Sequence, residues 1–290
     1  MRSEDRGKAR DVVEPQGIYL YCFARAGAAR HTEVAGVDER PGVTGLEVGK
    51  VAAVFSRVHL NDFSGEAAET RTQDPKWVVP RACRHEQVVE EMMRLGPVLP
   101  VRFGTVFSSE EALKGLLVQR SEEIALILDR LSDKEEWAVK GLVDAAKARA
   151  WLLATDPVLA ECRRKLPESP GARYLHKKRL DAEADSALRL WSAAVAEQVQ
   201  ALCRSQVADL CPLRLQSRPV SDREADMVLN LAVLVRRGHV AALLGRIQEL
   251  GATYADQGLT LEVSGPWPPY HFCPPPETRP DETPGLLHSA

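Results

Sequence analysis

Gly17–Ala24 (GIYLYCFA) is apolar or aromatic throughout, so an extended chain there has no polar face and predicts a central strand covered on both sides. Val43–Val48 and Val51–Val58 are apolar runs parted by Gly49–Lys50, the spacing of a β-hairpin. The period then changes. Val79, Ala82, Val89 and Met92/Met93 recur at helical spacing, with Pro80 in the first turn and Gly96 at the end. Val98–Phe107 (VLPVRFGTVF) reads as a strand that Pro100 and Gly104 bend, bulge or place at an edge. Ser108 and Glu111 form a capping box for a second helix, whose stripe is Leu113, Leu117, Ile124, Ile127/Leu128 and Leu131. Ser132–Asp133 ends it, and the domain boundary is placed there.

The second half repeats this order with an insertion. Glu136–Val143 alternates like a strand, and Lys147–Thr155 and Pro157–Leu166 predict short helices, the latter capped by Asp156. Ala184, Leu188, Trp191, Val195, Val199 and Leu202 stripe a long helix from about Ala172 to Arg204. Strands are expected at Asp209–Gln216, Met227–Val235 and Leu259–Val263, with a helix carrying Val240, Leu243/Leu244, Ile247, Leu250 and Tyr254 before the last. After it, Pro266, Pro268 and Pro269 should end the ladder and fold the chain back, with Trp267 and Tyr270 buried. The predicted class is α+β, with two tandem ferredoxin-like (split βαβ) domains at 16–132 and 133–273. A helical insertion at about 146–205 enlarges the second. Residues 1–15 and the proline-rich 274–290 have little to bury and are expected to be disordered tails.

Composition narrows the functional classes. Lys and Arg number 38 against 41 Asp and Glu, a net charge of −3, which lacks the basic excess of a nucleic-acid coat. No apolar run approaches the roughly 20 residues of a membrane helix. Met1–Glu14 has no apolar core and is no signal peptide. Six cysteines without a C-x-x-C pair suit a reducing cytoplasm.

Chemistry-bearing patterns fail one after another. Gly42–Lys50 suggests a phosphate loop, but Thr44 and Val51 break the Walker spacing. His85-Glu86 opens a zinc motif whose second histidine is Val89, so His85 is read as a capped, partly exposed helix residue. Cys83 and His85 are two apart on a helix and diverge. No catalytic residue, metal ligand or cofactor site is assigned. Two features remain as candidate partner contacts. One is Arg102, alone among apolar neighbours. The other is a basic cluster: Lys147–Arg179 holds nine Lys/Arg against three Asp/Glu, concentrated at Arg163, Arg164, Lys165, Arg173, Lys177, Lys178 and Arg179. It reads as a solvated hairpin or as an electrostatic face for an acidic partner.

Four segments in order resemble one family: Gly17–Tyr21 (GIYLY), His85-Glu86 with Pro97–Phe107 (PVLPVRFGTVF), Glu136–Lys140 (EWAVK) and Ser264–Phe272 (SGPWPPYHF). Together they resemble the gas vesicle GvpL/GvpF family from about Gly17 to Phe272. The resemblance implies an accessory protein of a gas-filled protein shell. Such a protein would be a minor vesicle component that binds the hydrophobic shell protein and prevents its aggregation during nucleation. It also implies two ferredoxin-like α+β domains, location at the gas vesicle in the cytoplasm, partners among the shell and accessory proteins, and no catalytic residues. The competing readings are an enzyme or small-molecule sensor with a ligand between the domains, and a nucleic-acid binder resting on the basic hairpin.

Overall fold

A computed structural model describes residues 15–28, 34–40, 42–63, 66–165, 167, 169–216 and 225–273. The tails expected at 1–15 and 274–290 lie, apart from Pro15, outside the described residues. The chain is α+β, with two antiparallel sheets in two compact units. The first runs to Ser132 and regains Cys273; the second is Asp133–Phe272.

In the first unit, β1 (Gln16–Arg25) pairs with β3 (Val51–His59), which pairs with β2 (Thr44–Val48) across the Gly49–Lys50 turn. On its other edge β1 takes β4 (Val98–Pro100) and then β5 (Val106–Phe107), giving the order β2-β3-β1-β4 with β5 beside β1. Short helices α1 (Leu60–Phe63) and α2 (Glu66–Thr72) lead into α3 (Pro75–Leu95), and α4 (Glu110–Leu131) ends the unit.

The sheet is covered on both sides, as the unbroken apolar run of β1 requires. Tyr19, Tyr21, Cys22 and Ala24 pack with Val88, Val89 and Met92 of α3. Ile18, Leu20 and Phe23 pack with Leu113, Leu117, Ile124 and Leu128 of α4. A register shift between Leu20 and Cys22 explains the change of parity, because one extra residue turns the following side chains to the other face.

Three expectations are corrected here. Helix α3 starts at Pro75 rather than near Pro80, because Asp74 accepts from the Lys76 amide at 2.9 Å and Pro75 suits the first helical position. Pro80 lies inside the helix, and Val79 points to solvent. The cap of α4 is Ser109, bonding the Ala112 amide at 3.2 Å, so the Ser108–Glu111 capping box does not form. The strand expected over Val98–Phe107 is split by a turn between β4 and β5, where the Val101 amide on the Tyr21 carbonyl (3.1 Å) and the Leu20 amide on the Thr105 carbonyl (3.0 Å) are the backbone bonds that still reach β1.

The second unit has strand order β7-β8-β6-β9 from β6 (Lys134–Asp144), β7 (Asp209–Pro212), β8 (Ala225–Arg236) and β9 (Leu259–Trp267). Between β6 and β7 lie α5 (Ala145–Thr155), α6 (Pro157–Arg164) and α7 (Pro170–Arg204), and α8 (Val240–Tyr254) joins β8 to β9. Val139, Leu229, Leu231, Val233 and Val235 face Val199 and Cys203 of α7 and Leu243 and Ile247 of α8. The first half of α7 packs instead on α5 and α6, through Ala184, Leu152 and Leu159. Arg149 of α5 braces it from the side, 2.7 Å from Asp181 and 3.4 Å from Asp185.

Strand β7 stops at Pro212, short of the expected Gln216. Strand β9 does the opposite and runs through Pro266 to Trp267, which pairs with Glu136 across a register shift. The prolines therefore do not end the ladder where expected; an irregular register admits Pro266 at a sheet edge.

Candidate functional site

The PVLPVRFGTVF segment is a turn pinned from below. His85 of α3 is fully buried (0% exposed), which corrects the partly exposed histidine expected from sequence. Its Nε2 lies 3.2 Å from the Val101 carbonyl oxygen, which can only accept, so Nε2 carries the proton. Nδ1 is then an acceptor for the Tyr19 hydroxyl at 3.1 Å, and that hydroxyl accepts in turn from the Gly104 amide at 3.0 Å. Tyr21 does the same for another loop, accepting from the Val37 amide at 2.8 Å and pairing with the Ser56 hydroxyl at 2.8 Å. Phe103 closes over the His85 ring, its centroid 6.0 Å away.

Burial keeps this network uncharged. It lowers His85 to about 4, with partial relief from the Val101 bond, and pushes Tyr21 up to about 12. Tyr19 is raised well above its usual value, again by burial first. These groups have all their partners inside the fold, so their role is positioning.

What they position is Arg102. Thr105 bonds the Arg102 carbonyl through its amide at 3.3 Å and its hydroxyl at 2.7 Å, and Gly104 takes the positive φ of +84° that the tight turn demands. Arg102 is exposed and forms no ion pair among the described residues. Arg102→Ala is therefore expected to shift stability by about 1 kcal/mol or less, measured by thermal unfolding. A larger loss would show that the guanidinium braces the turn.

The other seven candidate residues belong to the second unit and cluster where α6 meets α7. All are exposed. Arg164 and Lys165 share Glu161 at 2.5 and 3.4 Å, and Arg179 lies 3.8 Å from Glu183. Arg173 donates to the Pro167 carbonyl at 2.8 Å, and His176 Nε2 lies 2.8 Å from the Cys162 carbonyl, which ties the hairpin together. Among the described residues, Arg163, Lys177 and Lys178 have no carboxylate partner. Tyr174 and Leu175 stand between them, 61% and 68% exposed.

The model of the family described as gas vesicle synthesis protein GvpL/GvpF matches residues 17–274. The chain belongs to this family. Gas vesicle protein L2 of Halobacterium salinarum is 30% identical over 268 residues, covering 89% of this chain and 91% of the relative. Gas vesicle protein L of a Streptomyces species is 28% identical over 238 residues, covering 79% and 82%. The crystal structure of GvpF from an Anabaena species superposes with a TM-score of 0.65 at 17% identity, covering 89% of this chain and 98% of that one. GvpF from Microcystis aeruginosa gives 0.60 at 18% identity, covering 88% and 98%. These structural likenesses establish the shared fold.

The remaining segment of GvpL/GvpF resemblance, SGPWPPYHF, is a strap over the second sheet. Glu136 of β6 is 4% exposed and lies under it, its carboxylate 2.6 Å from His271 Nδ1 and accepting the His271 amide at 3.2 Å. Burial raises the Glu136 carboxyl above its usual value, and the His271 bonds only partly offset this. Sequence reasoning missed both members, because a glutamate in an alternating strand gives no sign that a segment far along the chain covers it. It also misplaced the anchor of the strap. Pro268, Pro269 and Phe272 are buried, whereas Trp267 is 45% exposed, its indole donating to the Ser264 hydroxyl at 3.1 Å. Trp267→Ala is accordingly expected to cost about 1 kcal/mol and Phe272→Ala about 3–5 kcal/mol, by chemical denaturation. The reverse order would mean that Trp267 holds the strap.

Proposed function

We propose that this protein is an accessory and assembly factor of gas vesicles that binds the hydrophobic shell protein and keeps it from aggregating while vesicles nucleate. The observation that carries this reading is the family match over residues 17–274, joined by relatives named gas vesicle proteins L and F. The physical rationale is simple. A subunit that builds a water-excluding shell exposes a large apolar face before assembly, and such faces associate. A binder lowers the free concentration of that state by mass action and needs broad surface rather than an active site. The order shared by the two sheets, β2-β3-β1-β4 and β7-β8-β6-β9, supports reading each unit as a split βαβ module. On this reading the protein works at the gas vesicle in the cytoplasm, among other vesicle proteins, and catalyses nothing. Arg102 and the basic hairpin are proposed as its contacts with partner proteins. The test is to delete the gene in a vesicle-forming host and restore it. Buoyant vesicles should vanish and return; an unchanged yield without the gene would refute the role.

A further inference from the structure

The hairpin formed by α6 and the first turns of α7 carries an arrangement that the free protein does not use. Lys177 and Lys178 follow Tyr174 at i+3 and i+4, and Lys178 and Arg179 follow Leu175 at the same spacings. Each exposed apolar side chain is thus flanked by two cations on the helix surface. Lys178 already leans on the Tyr174 ring, 5.7 Å from its centroid. Arg173 also sits at the end of the first turn of α7. A helix N-terminus carries partial positive charge and favours acidic residues, yet the first turn of α7 has none. Among the described residues, Glu161 and Glu183 offset only part of the charge, at Arg164, Lys165 and Arg179. The free hairpin therefore accepts like-charge repulsion and two large exposed apolar groups together.

We propose that this hairpin is a docking surface for an acidic amphipathic segment of a partner protein. The partner's carboxylates would face Arg163, Lys177 and Lys178, and its apolar side chains would cover Tyr174 and Leu175. Charge complementarity selects the occupant. Lys147–Arg179 is net +6, nine basic against three acidic residues, in a chain whose total is −3, so the rest is net −9. A short acidic segment can sit within so compact a patch, whereas a long polyanion or an anionic bilayer would also meet the acidic remainder. Nucleic acid is further disfavoured because Tyr174 stands alone, without the run of aromatic stacking platforms that single strands use. The proposal rests on reading the protein as an assembly factor with several partners, and it gives this hairpin a partner other than the apolar face of the shell protein.

The experiment uses the full chain and a labelled synthetic helix of about 18 residues, with Glu on one face and Leu on the other, followed by fluorescence anisotropy. Binding should weaken at least about ten-fold between low and moderate salt, as screening of a charged interface requires. The combined change Arg163→Glu, Lys177→Glu and Lys178→Glu should weaken it at least about ten-fold with an unchanged melting temperature. Tyr174→Ser with Leu175→Ser should weaken it several-fold even at high salt. No binding, equal binding by the charge-reversed variant, or equally tight binding of oligo-dT or of vesicles with about one-third phosphatidylserine would overturn the proposal. The assembly-factor reading fails separately. In that case the full chain would bind the acidic helix but leave aggregation of the shell protein unchanged.

Discussion

His85→Ala is expected to destabilise the first unit by about 3–5 kcal/mol. The substitution empties a fully buried site and strips the Val101 carbonyl and the Tyr19 hydroxyl of their partner at once. The pH dependence follows from the same burial. The folded His85 titrates near 4 against 6.5 when free, so its neutral form stabilises the fold fully above about pH 6.5. That share, about 3–4 kcal/mol at 1.4 kcal/mol per unit, is lost as pH falls from 6.5 through 4. Urea unfolding followed at several pH values would measure it. His85→Gln should make this segment of the profile shallower whatever its offset, because the buried imidazole no longer titrates. A His85→Gln profile as steep as that of the wild type would show that another group sets the slope.

The second large effect is expected from the strap. Ending the chain after Val263 removes Pro268, Pro269 and Phe272 and leaves the Glu136 carboxylate without either of its His271 bonds. Lost burial of Phe272 costs about 3–5 kcal/mol, and leaving the buried Glu136 carboxyl without its hydrogen-bond partners costs about 1–3 kcal/mol or more. Together these reach into the roughly 5–15 kcal/mol that holds a whole domain folded. The truncated second unit should therefore lack a cooperative melting transition by circular dichroism. A chain ended after Cys273 keeps every one of these contacts and should melt like the full protein. Cooperative melting of both would show that the strap is dispensable.

How much of this was legible in the sequence depended on whether a signal was local. The two-sided burial of β1 could be read from Gly17–Ala24, because a run with no polar face has one structural solution. The start of α6 at Asp156-Pro157 was equally plain, since the cap and the first-position proline act on adjacent residues. Competing local signals caused the errors nearby. Pro80 looked like a helix start while Asp74-Pro75, five residues earlier, supplied the cap that formed. Ser108 and Ser109 were equivalent on paper, and the backbone chose the second.

Long-range facts stayed hidden. In sequence His85 shows only as a failed zinc ligand and a failed partner of Cys83, because its real partners Tyr19 and Val101 lie 66 and 16 residues away. Glu136 and His271, separated by 135 residues, gave no hint of each other. The candidate contact residues were visible because charge shows in composition. Their division between the Val98–Phe107 segment and a helical hairpin was legible as well, whereas the pinning of the Arg102 turn by His85 and Tyr19 was not, because those partners are distant in sequence.

The most direct test of the central claim mixes the purified protein with the shell protein as the latter is diluted from denaturant, and follows light scattering and sedimentation. With an equimolar amount of this protein, the shell protein should stay in the supernatant and co-elute with it on size exclusion. Scattering that rises equally fast with and without it, with all shell protein in the pellet, would contradict the account.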